Sequence, residues 1–405
     1  MLRSTSSTRV QACWHAGDVS DDNTFVRHAE WLWSARHVDD PEVFRKLVHL
    51  VSSRVEEVDG RAVRVTPFAR ADALADAIGF AGDLWVKDET VNVAGSHKAR
   101  HLIGLALHLL ARDPGDTRPL AISSCGNAAL AAAVVAKAIK RDLRVFIPPD
   151  ANPVVVGRLH EMGAQITVCA RRLGEQGDPC FLRFEELLRT SEAVAFCCQG
   201  TISPETFDGG RTIAWEILEQ FVAATGAEPA VIDRVFVQVG GGALATSVHL
   251  GMATMAEQGM LALPPALYAV QSAGAAPLAR AYEHVRALAT ERGIDAALRD
   301  ASAHPDQFMW PWESEPRSIA TGILDDFTYD WFPIVAAMFR NGGEPVVVDE
   351  ATLIEANKLA REHTGINVDH TGTAGLAGLM QTLRANRGSW QGENIVVLFT
   401  GEYRG

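Results

Sequence analysis

The sequence predicts an α/β protein with two lobes, each a mostly parallel sheet flanked by helices, and an N-terminal helical extension. From about residue 83, short β-rich segments alternate with longer helical segments, which is typical of a parallel sheet covered by helices. The chain has 405 residues, too many for one simple core, and 47% of them are hydrophobic. Residues 1–60 instead place tryptophans among helical and polar residues without a strand rhythm.

The alternating segments can be followed along both halves of the chain. In the first half the predicted strands are LWVKDE, LAISS, LRVFIPP and QITVC, and a helix follows each of the first three. In the second half the helix RTIAWEILEQF precedes the strands VFVQV, LYAVQ, EPVVVDE and IVVLFTG, which are separated by further helices. The segment 301–317, with two tryptophans around a proline, predicts a long loop.

Composition argues against several kinds of partner. The formal net charge of −13 disfavours general binding to nucleic acid or to an anionic membrane surface, since both need clustered Lys and Arg. No segment reaches the ~18 apolar residues of a membrane span, and the first residues lack the apolar stretch of a secretory signal. The six cysteines form no C-x-x-C pair and no ligand-spaced cluster. We therefore predict no disulfide, no metal site and a reduced, cytoplasmic setting.

Lys98 stands at an unusual place for a lysine. In VKDETVNVAGSHKAR the predicted strand stops at Gly95, and a strongly apolar helix begins immediately after Lys98. The partial positive charge of a helix N-terminus disfavours an ammonium group, so stability alone would favour Asp, Ser or Thr. An uncharged amine is what imine formation needs. Lys98 is therefore a candidate for covalent chemistry, and a solvated surface lysine is the alternative interpretation.

Two further segments have the pattern of anion-binding loops. ISSCGNAALAAA passes from a strand into a helix that begins at Asn127, and free N–H groups at such a helix start bind carboxylates. VFVQVGGGALATS passes from a strand through Gly240, Gly241 and Gly242 into a helix, which suits a bound phosphate. For the first loop, an asparagine N-cap with nothing bound is the alternative.

The glycine run also allows a dinucleotide-binding site. Gly240, Gly242 and Ala245 match G-x-G-x-x-A, but the next strand ends in Gln271 and Ser272, where an acidic residue is expected to hold a ribose. No G-K-[ST] occurs in the sequence, so a Walker loop is absent. A phosphate site without nucleotide residues indicates a different phosphorylated ligand. A nucleotide-dependent oxidoreductase stays as the competing class of function.

Other candidate constellations are weaker. His97 and His101 are four residues apart on one helix face, but HKARH lacks the glutamate of a zinc protease helix, and such pairs are more often packing residues. No G-x-S-x-G nucleophile elbow occurs. For a thiol nucleophile at Cys125 the sequence indicates no partner histidine.

Taken in order, these segments resemble the pyridoxal-phosphate (PLP) enzymes of fold type II, the tryptophan-synthase-β-like superfamily, over roughly residues 65–405. TPFARADALADAIGFAGDLWVKDETVNVAGSHKAR resembles the family's T-P-L…L-A…G…K-x-E…N-x-x-G-S-x-K-x-R opening, SSCGNAA its S-S-x-G-N-x-A loop, and GGGAL its phosphate loop. DGGRTIAWEI, VDHTGTAGLAGL and LFTG resemble a motif helix, the late helix and the final strand.

The resemblance implies roles for particular residues. Lys98 would carry pyridoxal 5′-phosphate as a Schiff base, Asn127 would bond the 3′-oxygen, and Thr400 would face the pyridine nitrogen. The phosphate would be held by Gly240, Gly241, Gly242, Ala243 and Leu244. The substrate carboxylate would be bound by Ser123, Ser124, Cys125, Gly126 and Asn127. No metal is implied.

The resemblance also implies a domain organisation and a partner. We expect an N-terminal extension over 1–60, a large PLP-binding domain over 61–119 and 200–405, and a small mobile substrate-loop domain over 120–199. The expected ligand is a small-molecule amino acid, and the expected assembly is a homodimer. A non-catalytic relative kept as a partner subunit is disfavoured because Lys98, Asn127 and Thr400 are all present.

Departures from the family patterns bear on the reaction. His97 stands where most dehydratases and threonine synthases have Phe, as in tryptophan synthase β subunits, but the G-G-G-S-N loop and the catalytic-glutamate loop of those subunits are absent. Ala99 replaces the Asp of threonine synthases, and Cys125 replaces a more usual Ser. K-D-E and Thr400 are closest to the threonine-synthase-like branch, whereas SSCGNAA looks equally like the serine/threonine dehydratases.

We expect a lyase that catalyses ammonia-lyase type β-elimination on a Ser/Thr-like amino acid through an aminoacrylate. A hydroxyl residue facing the pyridine nitrogen does not keep that nitrogen protonated, which favours loss of a β-leaving group over transamination. The alternative is a threonine-synthase-like or β-replacement synthase that acts on an activated, for example phosphorylated, amino acid.

Overall fold

The computed structural model describes residues 21–175, 177–385 and 390–404. Residues 1–20, on which the expectation of no secretory signal rests, lie outside these ranges together with Cys13. The described strands are β1 (Phe68–Arg70), β2 (Asp83–Asp88), β3 (Leu120–Ser123), β4 (Leu143–Ile147), β5 (Gln165–Val168), β6 (Val194–Ala195), β7 (Arg234–Gln238), β8 (Ala266–Ser272), β9 (Pro345–Val348) and β10 (Asn394–Phe399).

Helices precede and follow these strands through most of the chain. The described α-helices are α1 (Thr24–Arg27), α2 (Pro41–Asp59), α3 (Asp72–Ile78), α4 (Lys98–Arg112), α5 (Asn127–Ala138), α6 (Pro153–Glu161), α7 (Pro179–Arg189), α8 (Thr206–Thr225), α9 (Ala243–Glu257), α10 (Pro277–Arg292), α11 (Ile294–Ala303), α12 (Trp331–Asn341), α13 (Glu350–Thr364) and α14 (Ala374–Ala385). No helix in the described part of the chain is long and apolar enough to cross a membrane.

The chain divides into two compact units. The first comprises the described residues up to Val65 together with Val91–Thr212. It contains a four-stranded sheet of order β5-β4-β3-β6, and every neighbouring pair is parallel. Helix α5 is buried along most of its length because its sequence, NAALAAAVVAKA, has small apolar residues on every face. Strand β3 of this sheet ends at Ser123, one of the predicted site residues.

The second unit comprises Thr66–Thr90 and the described residues from Ile213 onward. Its six-stranded sheet has the order β1-β2-β10-β7-β8-β9, and only β1 runs antiparallel to its neighbour. The apolar core on this sheet includes Phe236, Phe399 and Leu376, all fully buried. In a parallel sheet the carboxyl ends of the strands share one edge, and β7 and β10 lead at that edge into Gly240 and Thr400.

The described part of the N-terminal extension, residues 21–60, is helical, as predicted. Asp40 caps the start of α2, where its side chain accepts the N–H of Glu42, and Gly60 caps the end of the helix in the left-handed conformation. The apolar residues at helical spacing on its buried face are Phe44, Val48, Val51 and Val55.

Asp208 attaches the extension to the rest of the first unit. Its carboxylate accepts the N–H groups of Trp33 and Ser34 at 2.9 and 3.0 Å and lies 2.5 Å from the Arg211 guanidinium. Arg211 in turn lies 4.2 Å from the centre of the Trp33 ring. DGGR, part of a family motif, therefore has a structural role here.

The predicted α/β class, with parallel sheets flanked by helices, is confirmed. Some local predictions are wrong. The strand before Lys98 ends at Asp88 rather than Gly95, because a turn and a short 3₁₀ helix, Val93–Gly95, follow it. The first residues of the predicted 301–317 loop complete α11. Helix α4 packs on α5 and belongs to the first compact unit, and the division into domains over 1–60, 61–119 with 200–405, and 120–199 stays a prediction. The small mobile domain over 120–199 stays a prediction.

Candidate active site

Lys98 is the first residue of α4 and lies among buried neighbours. The other residues from Asn92 to Arg100 are buried, whereas Lys98 is half-buried. The chain turns before it through Ala94 and Gly95, which have φ of 51° and 64°. Asp59 supports this turn by accepting the Ala94 N–H at 3.0 Å. The turn and the helix start together hold the Lys98 backbone in a defined place.

Two glycines bring α4 into close contact with α8. A Cβ on Gly209 would lie 1.8 Å from the Arg100 carbonyl oxygen, and one on Gly104 would lie 2.5 Å from the Gly209 Cα. Arg100 is buried on the same side and donates to the Thr212 hydroxyl at 2.9 Å. Gly209, the first glycine of the DGGR motif, is therefore required for the packing of the helix that starts at Lys98.

His101 lies one turn along α4 from Lys98 and is completely buried. Burial lowers its pKa to about 3, and the nearby Lys98 charge acts in the same direction. Its Nδ1 lies 2.9 Å from the Thr206 carbonyl oxygen, so Nδ1 carries the hydrogen and donates it. His101 is therefore a neutral ring at working pH.

The loop Ser123–Asn127 joins the buried strand β3 to the buried helix α5. All of its residues are partly or fully exposed. No atom lies within 4 Å of a Cβ built on Gly126, so there is open space beside the backbone. No side chain caps α5 at Gly126, and the N–H groups of the first turn have no partner inside the helix. The loop has the accessible backbone donors that carboxylate binding needs.

The glycine run lies between β7 and α9 in the second unit. Gly242 has φ of 103° and forms the N-terminal cap of α9 without a side-chain hydrogen bond. Helix α9 begins at Ala243, so the N–H groups of Gly242, Ala243, Leu244 and Ala245 have no partner inside it. The amides and the dipole of this helix start can hold a phosphate.

A segment that the sequence does not single out packs against these glycines. A Cβ on Gly240 would lie 2.1 Å from the Asp325 carboxylate, and one on Gly241 would lie 3.2 Å from the Tyr329 ring. The Asp330 N–H donates to the Gly241 carbonyl at 2.9 Å. Close packing therefore requires a glycine at position 240, whereas a small movement of the Tyr329 ring would accommodate a Cβ at position 241. Residues 325–330 lie far along the chain and have no motif that would have revealed this role.

Thr400 follows β10 and is 1% exposed. Its hydroxyl oxygen lies 2.5 Å from Nε2 of Gln238, the last residue of β7. Gln238 is itself buried, and its Nε2 also lies within 3.2 Å of two carbonyl oxygens. The sequence singles out Thr400 but not Gln238, because the contact joins two strands 162 residues apart in the chain.

The lysine of the K-D-E motif, Lys87, forms a buried ion pair in the second unit. Lys87 Nζ lies 2.5 Å from Glu216 Oε2, and both side chains are fully buried. Lys87 also donates to the Thr66 carbonyl at 2.8 Å and to the Gln220 side chain at 2.9 Å. The Thr66 hydroxyl donates to Glu89 at 2.6 Å. These motif residues therefore form a hydrogen-bonded structural network.

The dinucleotide alternative finds no support at the end of β8. Gln271 is buried, and its Oε1 accepts the N–H groups of Leu278 and Ala279, at 2.9 and 3.1 Å, at the start of α10. Gln271 is thus engaged as a helix cap where a ribose-binding carboxylate would be needed. The glycine run therefore remains a candidate phosphate site, but the other residues of a dinucleotide-binding fingerprint are absent.

The predicted residues fall into two groups. Lys98 and the loop Ser123–Asn127 belong to the first unit, whereas the glycine run and Thr400 belong to the second. A family model described as "Pyridoxal-phosphate dependent enzyme" matches residues 60–401. The chain belongs to this family of PLP-dependent enzymes. The resemblance stated from the motifs is thereby confirmed, and PLP is the cofactor.

Curated relatives in this family carry out more than one reaction. The chain is 24% identical over 320 residues to a threonine synthase from Synechocystis, covering 78% of this chain and 71% of the relative. It is 28% identical over 195 residues to a serine dehydratase-like protein from Rattus norvegicus, covering 47% and 52%. The structure of processed threonine deaminase isoform 2 from Solanum lycopersicum superposes with a TM-score of 0.64, at 18% identity, covering 91% of each chain.

The residues present fit PLP. Gly242 caps the start of α9, whose first N–H groups have no intrahelical partner, as a phosphate site needs. At the same edge of the same sheet, Thr400 accepts a hydrogen bond from Gln238, so its own hydrogen points to another acceptor, as donation to a neutral ring nitrogen needs. Lys98 supplies an amine that is half-buried at a helix start. The aldehyde, the phosphate and the ring nitrogen of PLP therefore each have a matching residue.

Proposed function

We propose that this protein is a PLP-dependent lyase that catalyses ammonia-lyase type β-elimination on an amino acid resembling Ser or Thr. The observation that carries this proposal is the Gln238–Thr400 hydrogen bond. It supports a neutral hydroxyl donor, rather than a carboxylate, as the partner of the ring nitrogen. A ring nitrogen that stays unprotonated withdraws electrons less strongly, which favours loss of a β-leaving group over transamination.

Each part of the proposed site has a separate task. Bound PLP withdraws electrons from the substrate α-carbon. Lys98 would hold the cofactor through its Nζ, and the same Nζ, once released, would take the α-proton of the substrate as a general base. Asn127 would contact the 3′-oxygen, and the N–H groups of Gly240, Gly241, Gly242, Ala243 and Leu244 would hold the phosphate.

The loop Ser123–Asn127 is proposed to bind the substrate carboxylate. Open space beside Gly126 lets a ligand approach the backbone closely. Small side chains and first-turn amides of α5 would donate to both carboxylate oxygens. These contacts fix the α-carbon of the substrate and leave the side chain to be selected elsewhere, which fits a substrate with a small β-hydroxyl group.

The proposal is tested by what the PLP-loaded protein releases from a single substrate. L-Ser and L-Thr are supplied one at a time, and ammonia and 2-oxo acid are measured together. Equal amounts of both products without a second substrate support the lyase. The Lys98→Ala variant is the control for release by free PLP. Racemisation without 2-oxo acid would contradict the proposal.

The alternative is a threonine-synthase-like or β-replacement synthase. It is supported by the curated relatives that cover most of this chain, which include threonine synthases. Such an enzyme would leave Ser and Thr intact and would release inorganic phosphate from a phosphorylated amino acid. A phosphate assay with O-phosphohomoserine and with O-phosphoserine distinguishes it from the lyase.

We further propose a cytoplasmic homodimer. Among the described residues, Cys125, Cys169, Cys180, Cys197 and Cys198 form no disulfide, which fits a reducing compartment. Light scattering coupled to gel filtration should give twice the chain mass, 87 kDa from two copies of 43.7 kDa. A mass of one chain would contradict the dimer.

A further inference from the structure

Gln238 is an unusual residue for its position. It ends β7, whose other inner residues, Val235, Phe236 and Val237, are apolar and fully buried. Its own side chain is 4% exposed. Burying an amide costs free energy unless its hydrogen bonds are made. A buried Gln in such a strand therefore calls for an explanation.

The hydrogen bonds of Gln238 fix which way its amide faces. Nε2 lies 3.0 Å from the Gly372 carbonyl oxygen and 3.2 Å from the Leu398 carbonyl oxygen. Carbonyl oxygens only accept, so the atom facing them is the NH₂ group. The same group lies 2.5 Å from the Thr400 hydroxyl oxygen. Thr400 therefore accepts from Gln238, and its single hydrogen points away from that contact.

The amide oxygen of Gln238, Oε1, indicates that this side chain is not present because it stabilises the fold. Among the described residues, Gln238 Oε1 is buried without a hydrogen-bond partner. It faces the backbone side of α14, 3.0 Å from where a Cβ on Gly375 would lie. An unpaired buried carbonyl destabilises a fold, and an apolar side chain of the same size would avoid that cost. The Nε2 contacts must be what Gln238 supplies.

We propose that Gln238 is a positioning residue that holds the Thr400 hydroxyl as a hydrogen-bond donor to the ring nitrogen of PLP. This inference rests on the proposed function, in which Thr400 faces that nitrogen. One of the two Nε2 hydrogens of Gln238 points to a lone pair of the Thr400 hydroxyl, and the Gly372 and Leu398 carbonyls share the other. Without the amide, the Thr400 hydroxyl loses this donor, and its hydrogen can turn toward one of these carbonyls and away from the cofactor.

The experiment uses the PLP-loaded full chain, reconstituted with PLP that carries ¹⁵N in its ring. The variants are Gln238→Met, which keeps the length of the side chain without a donor, Thr400→Val, and the double variant. The control is Gln271→Met, which removes another buried Gln at the end of the neighbouring strand β8, whose Oε1 caps α10. The readouts are the ¹⁵N chemical shift of the ring nitrogen and the melting temperature.

We expect Gln238→Met to move the ring ¹⁵N signal in the same direction as Thr400→Val, toward a nitrogen without a donor. The double variant should equal Thr400→Val alone, because the two residues act through one hydrogen bond. Gln271→Met should lower the melting temperature and leave the signal in place.

Two results would overturn the inference in distinguishable ways. If Thr400→Val moves the signal and Gln238→Met leaves it unchanged, Gln238 does not position Thr400, and the proposed function stands. If Thr400→Val itself leaves the signal unchanged, Thr400 is not the partner of the ring nitrogen, and both the inference and the basis of the proposed function fail.

Discussion

The Lys87 ammonium lies 2.5 Å from the Glu216 carboxylate, and neither side chain is exposed to solvent. The pair joins β2 to α8 across 129 residues of sequence. A charge left alone at such a site has neither water nor a counter-ion to stabilise it. Lys87 of the K-D-E motif and Glu216 of the DGGRTIAWEI motif are thus the two partners of one ion pair.

Glu216→Gln should lower the free energy of unfolding by about 3–5 kcal/mol, because it leaves the Lys87 charge buried without its counter-ion. Urea unfolding followed by tryptophan fluorescence measures the change. The matched control is Glu355→Gln, which removes the exposed partner of Arg384 and should leave the unfolding curve in place. An unfolding midpoint equal to wild type for Glu216→Gln would show that the pair does not stabilise the fold.

Gly209→Ala should destabilise the first unit and reduce PLP retention. The added Cβ would lie 1.8 Å from the Arg100 carbonyl oxygen, so α4, which begins at Lys98, must move. The control is Gly157→Ala in α6, where no atom lies within 4 Å of the new Cβ. That change should raise stability by about 0.5–1 kcal/mol, because Ala favours a helix over Gly. If both variants melt alike, the close helix contact is not required.

Asp369 should make stability depend on pH in mildly acidic solution. Burial raises its pKa from 3.8 to about 6, against the opposing effect of the Gly372 N–H. Between these values the folded chain holds a proton that the unfolded chain releases. Stability from this group is therefore fully present below about pH 4 and is lost as the pH rises to about 6.

Asp369→Asn removes this titration and should be more stable than wild type above pH 6, by up to about 3 kcal/mol. The advantage should disappear near pH 4. Melting temperatures at matched pH values measure it, with Asp76→Asn on the exposed side of α3 as the control. A wild-type to Asp369→Asn difference that stays constant with pH would contradict the raised pKa.

Gly241→Val should weaken PLP binding while the fold survives. The new Cβ would lie 3.2 Å from the edge of the Tyr329 ring, a contact that a small ring movement relieves. The branched side chain would still keep a phosphate away from the neighbouring amides. The dissociation constant of PLP, measured by fluorescence titration of the apoprotein, should rise at an unchanged melting temperature. If PLP affinity is retained while NAD binding is lost, the dinucleotide alternative is favoured.

Local pattern predicts the elements of this fold but not the contacts between distant ones. The apolar rhythm of VFVQV and ALATSVHLGMATMA is sufficient to place β7 and α9, because burial in a parallel sheet and its helices shows directly in sequence. The apolar pattern does not predict the turn after β2. DETVNVAG has alternating apolar residues, yet Asn92 and Gly95 favour a turn and end the strand early.

The residues that surround the predicted site could not be found from sequence alone. Gln238 acts on Thr400 only because β7 and β10 are neighbours in the sheet. Asp325 and Tyr329 pack against the glycine run, and they lie in an irregular segment whose sequence has no hydrophobic periodicity. The sequence identifies groups with unusual local chemistry, such as an amine at a helix start. Their supporting contacts depend on tertiary structure.

Borohydride reduction followed by peptide mapping identifies the lysine that carries the cofactor, which we propose is Lys98. The sequence has six lysines, so a pyridoxyl label can be assigned to one of them without ambiguity. Protein given PLP and then reduced should carry one label per chain, on the peptide that contains Lys98, and Lys98→Ala should carry none. A label on Lys87, Lys137 or any other lysine, or a wild-type chain that stays unlabelled with PLP, would contradict the account.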